Sequence, residues 1–274
     1  MGKLDGKVAL VSGSGRGIGR CVAEKFASEG ARLVINDLDE GPANETLAAL
    51  QGMGAEAVAC IGSVTEADFG ERFVGAAMEA FGTPDIIVNN AGYTWDNVVQ
   101  KMSDEQFDDI LNVHMAAPFR ILRAAIGPIR EAAKAEAAEG REVHRKVVNI
   151  SSTSGVYGNA GQINYSGAKS GIVGMTRALA KEWGRYKVNV NAVAFGLVHT
   201  RLTQALDGDG ASIEIEGREI AVGVQRTGLE AAATRIPLGR GGTPEEAAGA
   251  IYILCTPEAD YISGQLVICD GGGR

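Results

Sequence analysis

Short apolar runs rich in β-branched residues alternate along the chain with longer stretches of helical periodicity. Lys7-Val-Ala-Leu-Val-Ser12 opens the series, a strand of the kind buried on both faces. A glycine-rich turn at 13–19 follows. A helical pattern then runs over 20–28, with Val22, Phe26 and Ala27 apolar and Gly30 placed to stop it. Further strands read at 32–36, 55–61, 85–89, 146–151, 188–194 and 266–269. Helices read at 42–53, 66–81, 104–111, 116–138, 164–184 and 245–255. The last helix opens on Thr243-Pro244, an N-cap followed by proline at the first helical position.

Strand and helix alternating at short spacing predict parallel strands with helices on both faces. The expected fold is α/β: one doubly wound Rossmann-type domain over residues 1–274, with a seven-stranded, mostly parallel sheet. No internal repeat and no linker rich in Pro, Ser or charge divides the chain. Residues 131–139 are rich in Ala, Glu and Lys and read as a solvated helical extension. Residues 207–223 carry Asp207, Asp209, Glu214, Glu216 and Glu219 among glycines. That stretch reads either as part of a substrate lid at about 200–226 or as a plain surface excursion.

Composition narrows the class. The 274 residues are 45% hydrophobic and 22% charged, enough to bury about three-quarters of the unfolded surface. Glycine at 38 and proline at 7 suggest tight turns rather than disorder. A net charge of −8 argues against nucleic acid as a partner. Cys21, Cys60, Cys255 and Cys269 form no C-x-x-C and read as buried thiols of a reducing compartment. The polar start and the lack of an apolar run of about 20 residues predict no signal region, no membrane span and a cytoplasmic protein. His114, His144 and His199 show no metal-ligand spacing, so no metal is expected. His199, beside Thr200, reads as surface or packing ahead of substrate contact.

The turn Ser12-Gly-Ser-Gly-Arg-Gly-Ile-Gly19 sits where a helix N-terminus presents amides to a pyrophosphate. Its spacing is G-x-x-x-G-x-G at Gly13, Gly17 and Gly19, with Arg16 and Ile18 between. Asp37 ends the second strand 18 residues after Gly19, where a carboxylate accepts from adenosine ribose hydroxyls. A 2′-phosphate there meets a negative charge, so NAD(H) is expected over NADP(H). Arg16 pulls the other way, since it can reach a 2′-phosphate.

A second group is Ser152, Tyr165 and Lys169. Tyr165 and Lys169 are i and i+4 on one helix face, and Ser152 follows the fifth strand at its C-terminal edge. A ketone receiving hydride needs a donor at its oxygen, which Ser152 offers, and a proton, which Tyr165 offers. A nearby ammonium at Lys169 is expected to lower the tyrosine pKa. Tyr93, Trp95 and Tyr157 read equally as pocket lining or core.

With Asn89-Asn-Ala-Gly92, Asn112 and Thr200 added in order, the chain resembles the short-chain dehydrogenases/reductases over nearly its whole length. The stretches Gly158–Tyr165, Arg235-Ile-Pro-Leu-Gly and Tyr261-Ile-Ser-Gly-Gln look most like the 3-oxoacyl-(acyl-carrier-protein) reductase group. The resemblance implies that Asn112 holds a water relaying protons to Lys169, and that Lys169 also binds the nicotinamide ribose. Ser63, Val64, Asn90, Ala91 and Gly92 would line the adenosine side. Gly196, Val198 and Thr200 would meet the nicotinamide end. Ser154, Tyr157 and Phe195 are the expected substrate contacts. Phe195-Gly196 replaces the family's Pro-Gly and would add an aromatic wall near the nicotinamide. A homotetramer is implied, built on the helices at 116–138 and 164–184 and on the last strand.

The expected activity is an NAD(H)-dependent oxidoreductase that interconverts a secondary alcohol and a ketone, with Tyr165 as acid/base. Asp37 and the acidic lid favour a small alcohol. The alternative is a 3-oxoacyl thioester reductase on carrier protein or CoA. A non-catalytic dinucleotide sensor is a reading of another class, but it would have no use for all four of Asn112, Ser152, Tyr165 and Lys169.

Overall fold

Every residue of β1 (Val8–Val11) is buried, and its side chains divide between two separate cores. Ala9 and Val11 join one and Val8 and Leu10 the other, as the two-residue period of a strand requires. The same division runs through β2 (Arg32–Ile35), β4 (Ile86–Asn89), β5 (Arg145–Ser152) and β6 (Val188–Phe195). A sheet apolar on both faces must be covered on both. Helices α1 (Gly17–Ser28), α2 (Glu40–Gly52) and α8 (Pro244–Cys255) supply Phe26, Leu50 and Ile251 to the first core. Helices α3 (Phe69–Ala80), α5 (Ala117–Ala138) and α7 (Ile163–Trp183) supply Phe73, Ile121 and Trp183 to the second.

The structure is a computed structural model that describes residues 2–200, 205–206, 211–215, 217–222, 224–225 and 234–273. With β3 (Ala57–Ala59) and β11 (Leu266–Cys269), the sheet has seven strands in the order β11-β6-β5-β4-β1-β2-β3. All its pairings are parallel. The strand order reverses between β1 and β4, which opens a crevice at their C-terminal ends, the position where such sheets bind ligands. Among the described residues, no helix is long and apolar enough to cross a membrane.

Several features were not anticipated. A short helix α6 (Thr153–Tyr157) follows β5, capped by Ser152, whose hydroxyl accepts from the Ser154 amide at 3.1 Å. Between α4 (Asp104–Leu111) and α5 lies a π-helical turn, Asn112–Ala116. The helical extension is not wholly solvated. Glu136 receives a bidentate pair from Arg145, at 2.8 and 2.6 Å, and Arg145 is only 3% exposed. Within the expected lid, β8 (Ala211–Ile215) and β9 (Arg218–Val222) form an antiparallel hairpin. A second pair, β7 (Ala205–Leu206) and β10 (Val224–Gln225), is parallel. The remaining parts of that expected lid, 201–204, 207–210, 216, 223 and 226, lie outside the described residues.

Candidate active site

The β1–α1 turn is held from behind by buried polar groups. Ser12 Oγ accepts from the Asn90 and Ala91 amides, each at 3.1 Å, and Asn90 Nδ2 donates to the Ser12 and Gly13 carbonyls at 3.0 and 2.9 Å. A side chain at Gly19 would overlap the Gly13 carbonyl, so only glycine lets the helix follow the turn this closely. Among the described residues no side chain caps α1, whose first amides therefore open on the crevice.

Asp37 stands where β2 leaves the sheet. Its carboxylate accepts from the Gly15 amide at 3.1 Å and the Asp39 amide at 3.0 Å, which fixes its direction. Arg16, beside it in the turn, is not a lone cation. It pairs with Asp39 at 2.7 Å.

At the other end, α7 carries Tyr165 and Lys169 on one face. Lys169 is 4% exposed, and its Nζ donates to the Ile150 carbonyl at 2.8 Å and lies 5.5 Å from the Tyr165 ring centroid. Ser152 hydrogen-bonds with the Tyr165 hydroxyl. Burial pushes the phenol up to about 12, with the Ser152 bond opposing it, and burial brings the Lys169 amine down to about 7. The expected lowering of the phenol by Lys169 is thus not what dominates here. Desolvation acts on both groups and favours both neutral forms.

These two ends share one cleft of about 310 Å³. Gly13, Arg16, Gly17, Ile18, Gly19, Asp37, Ser63 and Val64 line one part of it, with Asn90, Ala91 and Gly92 alongside. Asn112, Tyr165, Lys169 and Thr200 line the rest. The hairpin closes its side. Ile215 reaches the lining, Ile220 packs against Tyr93 and Trp95, and Arg218 pairs with Asp109.

Comparison with known proteins agrees with this geometry. A family model described as enoyl-(acyl carrier protein) reductase matches residues 13–273. The 3-oxoacyl-(acyl-carrier-protein) reductase FabG of Thermotoga maritima is 32% identical over 270 residues, 98% of each chain. The short-chain reductase protein NovJ of Streptomyces niveus is 36% identical over 97% of this chain and 93% of its own. The chain belongs to the short-chain dehydrogenase/reductase family. It is an oxidoreductase of that family. Among solved structures, a short-chain dehydrogenase/reductase, glucose/ribitol dehydrogenase, from Brucella melitensis matches with a TM-score of 0.83 at 26% identity, covering 100% of this chain and 99% of its own.

Not every residue expected of a short-chain dehydrogenase/reductase site reaches the cleft. Phe195 is a correction. Its parity on β6 is that of Val193, so its ring enters the core beneath α1 and α8 and makes no aromatic wall. Val198 is buried in the same core, bridged to Gly242, and Gly196 packs against Asp270. Neither lines the cleft. Ser152, Ser154 and Tyr157 also lie outside the lining, Ser152 meeting the site through Tyr165. The Ser154 hydroxyl donates to Gln162 Oε1 at 2.9 Å, and Tyr157 is exposed on α6.

Other residues carry weight that the sequence did not signal. Asn36 is 1% exposed. Its Oδ1 accepts from the Gly13 amide at 3.1 Å, and its Nδ2 donates to the Cys60 and Gly62 carbonyls at 3.0 Å, tying the glycine turn to the loop after β3. Asp96 is held by Gln162 Nε2 at 2.7 Å, and its charge adds to the upward push on Tyr165. His114 stacks edge-on against Tyr165. Their partners lie tens of residues away in sequence, and no local pattern marks them.

Proposed function

We propose that this short-chain dehydrogenase/reductase transfers hydride between NAD(H) and the carbonyl carbon of a 3-oxoacyl thioester, giving the 3-hydroxyacyl thioester. The observation that carries the reading is the single cleft joining Asp37 and the open end of α1 to Tyr165 and Lys169, with Ser152 behind Tyr165. The donor set fits a dinucleotide. It offers backbone amides for a pyrophosphate at one end, a fixed carboxylate for ribose hydroxyls beyond it, and a buried lysine at the other. The nicotinamide, when bound, supplies or takes the hydride.

The protein's own residues do the rest. Ser152 donates to the substrate oxygen as negative charge develops there. Tyr165 delivers its proton to that oxygen in reduction, and a phenol pushed up to about 12 is fully protonated for this at neutral pH. Lys169, brought down to about 7 by burial, is partly protonated at neutral pH, and in that form it favours the phenolate as the proton leaves. The pairing of Arg16 with Asp39 supports NAD(H), since it occupies the cation best placed for a 2′-phosphate.

The thioester is supported by the FabG relatives at full length. A small secondary alcohol is the second reading, favoured by the solved neighbour called glucose/ribitol dehydrogenase. A homotetramer belongs to the same proposal, supported by Val267 and Ile268 exposed on the edge strand β11 and Phe119 exposed on α5.

Tyr165→Phe tests the chemistry. Turnover is expected to fall by about 10²–10⁴-fold while NADH still binds, followed by its fluorescence. Normal turnover would remove Tyr165 from the acid/base role.

A further inference from the structure

The π turn Asn112–Ala116 brings Asn112, Val113 and His114 together into the cleft wall. On a regular helix, residues two apart point about 200° away from each other, so both Asn112 and His114 would not face one site. Their surroundings differ. Asn112 Oδ1 accepts from Arg120 Nη1 at 2.8 Å, and the same Nη1 donates to the Thr65 carbonyl at 3.2 Å. That side chain is therefore tied towards the loop on the adenosine side of the cleft.

His114 faces the chemistry. It is 4% exposed, and its ring stands edge-on to Tyr165, with centroids 5.1 Å apart and planes at 85°. Nε2 lies 2.7 Å from the Tyr93 carbonyl, an acceptor, so Nε2 carries the hydrogen and Nδ1 is the unprotonated acceptor. Nδ1 is buried and has no hydrogen-bond partner among the described residues. A side chain at Gly92 would overlap the imidazole, so the glycine that ends Asn-Asn-Ala-Gly makes room for it. Burial and the charge of Lys169 hold the imidazole well below its ordinary range, so it stays neutral.

We propose that His114 is a positioning residue of the Tyr165 site: anchored to the Tyr93 carbonyl, it fixes the phenol ring edge-on and presents a neutral acceptor in the cleft wall. This inference rests on the reading of Tyr165 as the acid/base given above. Because the imidazole is neutral and committed to a backbone carbonyl, it orders the site without adding positive charge beside Lys169. The residue acts through Tyr165. A displacement of the phenol by about 1 Å is enough to cost about 100-fold in rate.

The test compares His114→Leu and His114→Asn in the full chain, with NADH and acetoacetyl-CoA. His114→Leu fills the space but cannot donate to Tyr93. Its kcat is expected to fall about 100-fold while the NADH dissociation constant stays within about threefold. His114→Asn keeps a donor and is expected to recover kcat to within about tenfold of the parent, with the limbs of the pH–rate profile unchanged.

Wild-type kcat in His114→Leu would overturn the proposal. Equal damage from Leu and Asn would overturn it too, as would loss of a limb of the pH profile in His114→Asn, because the histidine would then be transferring protons. Where His114→Leu does not fold, the kcat and pH profile of His114→Asn decide the same point. Tyr165→Phe separates the two readings. An inactive Tyr165→Phe beside a fully active His114→Leu defeats only this inference, whereas an active Tyr165→Phe defeats the reading beneath it.

Discussion

At the scale of single residues, the proposed preference for NAD(H) rests most on Asp37. Two backbone amides pin its carboxylate, so it has no low-cost way to turn from an incoming 2′-phosphate. Its position after β2 was legible because strand, glycine turn and carboxylate come at fixed spacing in this kind of fold. The partner of Arg16 was not, because Asp39 becomes its neighbour only once the β2 loop folds back. Removing the charge is expected to raise the NADPH-to-NADH ratio of kcat/KM about tenfold in Asp37→Ala, a change of about 1.4 kcal/mol. An unchanged ratio would mean that another group sets the preference. Phe195 shows the opposite case. Read as a substitution for proline beside the nicotinamide, it suggested a wall, but strand parity places its ring in the core.

At the scale of elements, the strands and long helices were readable within a few residues, because two-residue and 3.6-residue apolar periods are strong in a doubly covered sheet. What escaped was structure with weak or mixed periods. The β8–β9 hairpin does alternate, Ser212-Ile-Glu-Ile215 before a turn at Gly217, but its charges and glycines suggested a loop. The π turn has no sequence signature, and it is what carries His114 to Tyr165. The extension of α5 looked solvated from composition, yet Glu136 holds the buried Arg145 at the start of β5. Glu136→Ala leaves that guanidinium without its bidentate partner and is expected to cost about 3 kcal/mol of stability in urea unfolding. Arg145 holds the Glu136 carboxyl below its ordinary range. Its contribution is therefore present above the unfolded carboxylate pKa and is lost as pH falls through the folded one. A loss under about 0.5 kcal/mol would class the pair with surface ion pairs.

At the scale of the whole molecule, the order β11-β6-β5-β4-β1-β2-β3 decides where chemistry can occur. Its reversal between β1 and β4 sets the glycine turn, Asp37 and the Asn90–Gly92 segment around one end of the crevice. Helix α7, packed on β5 and β6, brings Tyr165 and Lys169 to the other end. Seven strands and their layering followed from the alternation of elements, but the substrate does not follow from topology, which is shared across the family. An isolated thioester tests the carbonyl chemistry without a carrier protein, whose docking onto a chain of net charge −8 is a separate variable. The direct measurement is the rate at which the purified protein oxidises NADH and, separately, NADPH with acetoacetyl-CoA. Rapid turnover with NADH and much slower turnover with NADPH is the expected result. Turnover with NADPH alone would contradict the role given to Asp37, and no turnover with either would contradict the 3-oxoacyl thioester.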